Sequence, residues 1–349
     1  MTGTGRCGST LLSNLVNLHP DVLSVSELFA ALRPDGLSEQ RVAGTAMWQI
    51  LTRPRRDAQI MADLGLAPDE FLYPLASGRY PAREVPPIAA ATLPHLTDRP
   101  DALLDELEPV VKSFPEDSLG NQYHRLFTWL CRRFDRGVVV ERSGASLEYL
   151  ADLHRMFPEA KVVHIWRDPS ACALSMREHH LFRMGRLRSR MVKEIGFDPY
   201  REDGELDPAS VPESLRALLP ETFDRAAYER YPFAAADFGW QWSALVMAGL
   251  PTLKSLEPDQ LHTLRYEDLL AHARTVLEEL GAFLGLHHVE RWAEEAAGYV
   301  EPPRHPARLT NLDAEEVARL DRSVSVASRS LRRFNASRQQ SVAPLAATD

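Results

Sequence analysis

The sequence predicts an α/β fold: a P-loop-like parallel sheet flanked by helices, with helical insertions. Three observations carry this prediction. A glycine-rich loop, Gly3-Thr-Gly5-Arg6-Cys7-Gly8-Ser9-Thr10, opens directly into a helical pattern. A strand–helix–strand unit occupies 137–166, the arrangement that builds parallel sheets through crossover helices. A further strand candidate, His262–Arg265, runs into a polar helix start at Tyr266-Glu267-Asp268.

The elements follow in order. Leu11, Leu12, Leu15 and Val16 recur at helical spacing after Ser9, so the first helix runs to about Leu18 and stops before His19-Pro20. Val22–Val25 reads as a short strand ending at Ser26-Glu27. Residues 30–135 alternate helical patterns with proline breaks (Pro81, Pro86-Pro87, Pro94, Pro100), which predicts a helical insertion. Gly137-Val-Val-Val140 is a buried-strand run. Leu147, Leu150, Leu153 and Phe157 share one face of a helix over Ser146–Phe157, and Lys161–Trp166 is the next strand. A second insertion is expected at 182–236. One domain over 1–336 is expected, with a disordered tail at 337–349. No internal repeat occurs at periods of about 20–50 residues. Only Met1-Thr2 precede the loop, where a complete strand ordinarily stands; either the first strand is truncated or the true start lies upstream. The first sheet position should therefore be weak, and apolar residues added before Met1 should raise the melting temperature.

Composition narrows the function. Net charge is −9, from 40 basic and 49 acidic residues, which gives nucleic acid no general attraction. The 44% apolar and 26% charged fractions are ordinary for a globular chain. Apolar runs such as Val138–Val140 and Val162–Trp166 are too short to span a bilayer. Cys7, Cys131 and Cys172 are too few and scattered for a disulfide framework or a zinc site. With no signal-peptide pattern before the first motif, a cytoplasmic location is expected. Arg183, Arg186, Arg188, Arg190 and Lys193, followed by Glu202, Asp203, Glu205 and Asp207, form either a solvated helix face beside a polar loop or a cap over an anionic ligand.

The loop at 3–10 is an anion site by construction, because free N–H groups and the positive end of a helix dipole face outward. Gly3, Gly8 and Thr10 fit the frame of a nucleotide triphosphatase, but Ser9 stands where the phosphate-neutralising lysine belongs. That argues against phosphoryl transfer from ATP. Gly3, Gly5 and Gly8 also satisfy G-x-G-x-x-G, with Glu27 near the place of a ribose-binding acid. An NAD(P)-binding oxidoreductase is therefore the alternative enzyme, with the arginine inside the turn counting against it. Arg6 supplies positive charge from within the loop, and its planar fork suits two oxygens of a phosphosulfate. Downstream, Arg167 stands at a strand's carboxyl end and Ser175 two turns into the next helix. A forked cation and a hydroxyl donor there can converge on one phosphate.

Arg6-x-Gly8-Ser9-Thr10-Leu11 resembles the R-S-G-T-T-L loop of sulfotransferases that use 3′-phosphoadenylyl sulfate (PAPS), in the form of the tyrosylprotein and carbohydrate branches and their bacterial relatives. His19-Pro20-Asp21-Val22 and Glu27 match the tyrosylprotein branch. Glu141-Arg142-Ser143, Phe157-Pro158-Glu-Ala-Lys161, Arg167-Asp168-Pro169 and Ser175 resemble the family's second block. The likeness covers residues 1–29 and 137–180, with a weaker echo at Leu264–Leu269.

The resemblance implies PAPS as co-substrate, no metal, and a hydroxyl-bearing acceptor: a small molecule, a carbohydrate or a carrier-bound acyl chain. Arg6, Cys7, Gly8, Ser9, Thr10 and Leu11 would bind the 5′-phosphosulfate, and Arg167 and Ser175 the 3′-phosphate. Tyr266 would touch the nucleotide. Arg304 and Arg308 lie where a loop closes over the 3′-phosphate, without the family's signature there. Arg142 takes the place of a lysine at the bridging oxygen. An arginine gives up no proton at neutral pH, so electrostatic stabilisation alone is expected of it. Glu27 matches the general base of the tyrosylprotein branch, with an ion pair to Arg6 or Arg142 as the structural alternative. The histidine base of the cytosolic small-molecule enzymes is replaced by Gly144, leaving His179 and His180 in reserve. The two insertions should build the acceptor pocket, and Trp240 and Trp242 either line it or fill the core. A nucleotide-binding module without turnover is the non-enzymatic alternative.

Overall fold

The computed structural model describes residues 1–202, 211–301 and 312–342. The glycine-rich loop ends at Gly8, whose φ of +94° needs a residue without Cβ. Helix α1 (Ser9–Asn17) follows with Leu12, Leu15 and Val16 turned inward, and strand β1 (Val22–Ser26) is buried along its length. After α2 (Leu28–Leu32), the first insertion is mainly helical. It contains strand β2 (Arg41–Val42), α3 (Gly44–Thr52), α4 (Arg56–Asp63), α5 (Pro87–Ala90), α6 (Thr92–Leu96), α7 (Pro100–Lys112), strand β3 (Asp117–Ser118) and α8 (Leu119–Phe134). Pro87 and Pro100 occupy the first turns of α5 and α7, where the missing N–H leaves nothing unsatisfied. β2 and β3 pair as a short antiparallel ribbon.

Strands β4 (Val138–Arg142) and β5 (Val162–Trp166) flank the expected crossover. Its helix is shorter than the apolar face suggested, a 3₁₀ turn over Ser146–Tyr149 preceding α9 (Leu150–Met156). Then come α10 (Pro169–Arg177), α11 (His180–Ile195), α12 (Glu213–Arg216), α13 (Arg225–Arg230) and the long α14 (Ala235–Ser255). Strand β6 (Leu261–Arg265) leads to α15 (Tyr266–Ala271), α16 (Ala273–Leu284), α17 (Val289–Ala297) and α18 (Ala314–Val342).

β1 pairs in parallel with β4, Val22 opposite Val138 through Ser26 opposite Arg142. β5 pairs in parallel with β6, Val162 opposite Leu261 through Trp166 opposite Arg265. The chain's first residues join the two pairs. Thr2 forms a parallel bridge with His164, donating to the Val163 carbonyl at 2.7 Å and accepting from the Ile165 N–H at 3.0 Å. The Met1 nitrogen donates to the Glu141 carbonyl at 2.5 Å. The order across the molecule is β1, β4, Thr2, β5, β6, so the weak sheet position is the central one. The phosphate loop departs from there.

The largest apolar cluster packs the sheet against α1, α10, α14 and α18 and contains Trp242 at 1% exposure, whereas Trp240 is 58% exposed. Trp242 thus fills the core. A second cluster, rich in Phe29, Tyr123 and Leu126, joins β1 to the first insertion, and a third lies under α11 around Tyr200 and Tyr228. At 337, where a disordered tail was expected, the helix continues. Leu331 and Phe334 are buried, Ser337 and Arg338 continue α18, and the Arg338 guanidinium donates to the Leu253 and Leu256 carbonyls. That contact with the end of α14 extends the helix beyond the point where the apolar pattern stops; 343–349 lie outside the described residues. No helix among the described residues is long and apolar enough to cross a membrane.

Candidate functional site

Parallel strands share a carboxyl edge, and Arg6, Glu27, Arg142, Arg167 and Tyr266 stand at that edge or in the loop beside it, while Ser175 comes from within α10. The loop is tightly bounded. A Cβ on Gly3 would lie 2.5 Å from Cys7 Sγ and 2.8 Å from the Ile165 carbonyl oxygen, and one on Gly8 would lie 2.1 Å from the Tyr266 ring. Between them Arg6 holds φ +54°, a left-handed backbone that costs a non-glycine residue about 1–2 kcal/mol. Its carbonyl accepts from Arg167 Nη1 at 3.3 Å and from Cys172 Sγ at 3.7 Å, and its Nε donates to Ser175 Oγ at 3.1 Å. Cys7 is fully buried, and burial pushes its thiol up. Its side chain therefore packs, leaving only its backbone for a ligand.

Arg167 follows β5 and stacks its guanidinium 4.7 Å from the centre of the Tyr266 ring, which opens α15 at the end of β6. Asp168 is no ion-pair partner for Arg167. It caps α10, accepting from the Ala171 N–H at 2.8 Å, and its own N–H donates to Glu267 Oε1 at 3.0 Å. Arg6, Arg167, Ser175 and Tyr266, from four separate elements, thus meet in one place. Arg6 reaches across to Ser175, so the loop arginine touches the hydroxyl expected on the 3′ side.

Glu27 and Arg142 meet where β1 and β4 end in register. Glu27 turns at φ +58°, its N–H donating to the Arg142 carbonyl at 2.7 Å. Arg142 is 3% exposed; it donates to Glu27 Oε1 and, at 2.9 Å, to Ser26 Oγ, while the Gly144 N–H donates to Glu27 Oε2 at 2.9 Å. Burial pushes the Glu27 carboxyl up; the Arg142 charge and the Gly144 N–H oppose this, and the balance stays above the ordinary value. Glu27 thus makes an ion pair, with Arg142 as its partner. Arg142, expected at a leaving group, is held by Glu27 and Ser26.

Glu70 escaped sequence reasoning. It lies between α4 and α5, in a stretch with no periodicity or motif to single it out. Its carboxylate stands 3.7 Å from Arg6 Nη1 and 3.2 Å from His179 Nε2. Burial pushes it up, but the His179 hydrogen bond and the charges of His179 and Arg6 bring it below its usual value. His179 is 6% exposed, packs edge-on to Phe182 at 5.7 Å, and with Glu70 acts electrostatically on Glu27. His180 turns away to Tyr228 Oη at 3.1 Å.

The basic stretch on α11 is structural. Arg183 stacks on Tyr228 and Phe233, Arg186 pairs with Asp237, Arg188 with Asp57 and Asp198, and Arg190 with Glu194. Asp203, Glu205, Asp207, Arg304 and Arg308 lie outside the described residues. Among those described, no group of three or more His, Cys, Asp and Glu side chains could hold a metal ion.

Comparison with known proteins gives the following. A model of the sulfotransferase family matches residues 1–204. The sulfotransferase domain of the curacin biosynthetic pathway is 16% identical, with 93% of this chain and 96% of that one covered at a TM-score of 0.39. The sulfotransferase domain of the Synechococcus PCC 7002 olefin synthase is 16% identical over 96% and 92%, at 0.41. A Mycobacterium avium sulfotransferase is 15% identical over 92% and 74%, at 0.41. No curated protein matches the chain. Since the family match spans more than half of the 349 residues and takes in the loop, Glu27, Arg142, Arg167 and Ser175 together, the chain belongs to the sulfotransferase family.

Proposed function

We propose that the protein transfers a sulfuryl group from PAPS to an acceptor hydroxyl by in-line displacement, without a metal. One observation carries this reading: the anion loop, Arg6, Arg167, Ser175 and Tyr266 converge at the sheet's carboxyl edge, beside a buried carboxylate on the neighbouring strand end. That donor set suits PAPS, which presents a phosphosulfate at one end and a phosphate at the other. Ser9, Thr10 and the N–H groups at the start of α1 would take the 5′ side together with Arg6. Arg167 and Ser175 would take the 3′-phosphate, with Tyr266 against the nucleotide.

In the transfer, the acceptor oxygen bonds to sulfur as the bond from sulfur to the 5′-phosphate oxygen breaks. The electron pair leaves on the phosphate, where fixed cations and N–H dipoles receive it. The acceptor's proton passes to Glu27, whose raised affinity for protons suits a base. Arg142 acts through Glu27 as a positioning residue. A second reading makes His179 the base, oriented by Glu70; in its favour, both Glu27 oxygens already accept hydrogen bonds. The free thiols of Cys7, Cys131 and Cys172 suit a reducing compartment, and a cytoplasmic setting completes the proposal.

Calorimetric titration with 3′-phosphoadenosine 5′-phosphate, followed by sulfate-transfer assays on a panel of hydroxyl acceptors, tests it. Binding with transfer is the expected result. Binding without transfer on any acceptor points to a nucleotide-binding module, and tight NADH binding in its place points to an oxidoreductase. Glu27→Gln should lower turnover about 100-fold or more with nucleotide binding intact. If Glu27→Gln turns over normally and His179→Asn does not, the base is His179.

A further inference from the structure

A loop built to hold an anion carries a carboxylate against its own arginine. Arg6 Nη1 lies 3.7 Å from Glu70 Oε1, with the two side chains 30% and 22% exposed. The other Glu70 oxygen stands 3.2 Å from His179 Nε2, just before α11. One carboxylate thus bridges the loop to the histidine, and both Glu70 and His179 act electrostatically on Glu27. It links the cation expected at the phosphosulfate to the group expected to take the acceptor's proton.

Two of these partners are held in place. Arg6 keeps a left-handed backbone at φ +54°, and its Nε donates to Ser175 Oγ at 3.1 Å. His179 is 6% exposed and packs edge-on to Phe182 at 5.7 Å. Phe182 in turn presses on the loop, since a Cβ on Gly5 would lie 2.6 Å from its ring. Glu70 stands on a turn outside any helix or strand, so its side chain is the one that can swing. A sulfuryl oxygen approaching Arg6 carries the same sign of charge as Glu70, and like charges in contact repel strongly in a partly buried site. Both cannot hold the same guanidinium edge.

We propose that Glu70 is a specificity-determining residue that tells the sulfated nucleotide from its desulfated product. Its carboxylate takes the place at Arg6 that the sulfuryl group takes in the donor complex. PAPS displaces it from Arg6 and leaves it on His179, whereas 3′-phosphoadenosine 5′-phosphate, lacking that group, lets it stay. Once the sulfuryl group has passed to the acceptor, the carboxylate returns. This inference rests on the PAPS reading above and adds the residue that sets the ratio of the two affinities.

The experiment is calorimetric titration of both nucleotides into the whole chain and into Glu70→Gln. The variant keeps the size of the side chain and its reach toward His179 but loses the charge, and an unchanged urea midpoint verifies the fold. PAPS should bind the variant about tenfold tighter or more, and the desulfated nucleotide within about twofold of wild type. Glu70→Ala, which drops the His179 hydrogen bond as well, should move the ratio the same way and covers the case of a Gln side chain that takes up a new bond. An equal change for both nucleotides, an unchanged ratio, or a ratio moved toward the desulfated nucleotide overturns the proposal. If neither nucleotide binds either protein, the PAPS reading itself fails and this proposal with it.

Discussion

Replacing Gly8 by alanine tests whether loop, ring and 3′-side arginine form one unit. Two separable costs follow from the geometry. Gly8 sits at φ +94°, which costs an L-residue about 1–2 kcal/mol. The new Cβ would also lie 2.1 Å from Tyr266 Cδ2, well inside an ordinary contact, so the ring must shift; forced repacking of this kind costs about 1–3 kcal/mol. Gly8→Ala should therefore lose about 2–5 kcal/mol, read from urea unfolding. Because the displaced ring is the one stacked on Arg167 at 4.7 Å, affinity for 3′-phosphoadenosine 5′-phosphate should fall about tenfold or more in the same protein. Tyr266→Ala in the Gly8→Ala background removes the overlap and leaves the dihedral cost, so the double-mutant cycle should show about 1–3 kcal/mol of coupling. A Gly8→Ala protein within about 0.5 kcal/mol of the parent, or a strictly additive cycle, would refute the packing argument.

Other perturbations probe the neighbouring groups. Arg142 lowers the Glu27 proton affinity that burial raises, so Arg142→Gln should raise it further. Since a base works only when deprotonated, the acid limb of kcat/KM should then move to higher pH; an unmoved limb would rule out Glu27 as the base. Ser175→Ala removes the Arg6 partner and a donor for the 3′-phosphate, and should weaken nucleotide binding about tenfold, with thermal unfolding little changed. Undiminished affinity would place the phosphate elsewhere. Asp57→Asn leaves Arg55, Arg188 and Arg201 without their common carboxylate and should cost about 3–5 kcal/mol at neutral pH. Burial raises the Asp57 pKa, but its three arginines hold it well below the ordinary aspartate range. The wild-type advantage is therefore present above that range and vanishes as pH falls through the depressed value. A gap between wild type and variant that stays constant through acid unfolding would contradict this.

Local grammar made much of the molecule legible. Helix α1 follows from its leucine spacing, which fits a helical period, and the strands β1, β4, β5 and β6 from runs too short for a helix, bounded by polar, glycine or proline residues. Arg6 was legible as the cation inside a glycine-rich loop, and Arg167 with Ser175 as a cation at a strand's carboxyl end with a hydroxyl two turns on, because a parallel sheet brings strand ends to one edge whatever lies between. Glu27 was legible only through the resemblance to the tyrosylprotein branch.

Tertiary structure decided the rest. The loop springs from a central sheet position one bridge wide, because Thr2 lies between strands that the chain supplies more than a hundred residues later. The choice of Arg142 rather than Arg6 as the partner of Glu27 came from the register of β1 with β4, and the arrival of Glu70 beside Arg6 and His179 from the packing of the first insertion. Neither belongs to any local period. A side chain's offset within its own element is written in sequence, whereas its partner across space is set by which apolar faces must be buried together.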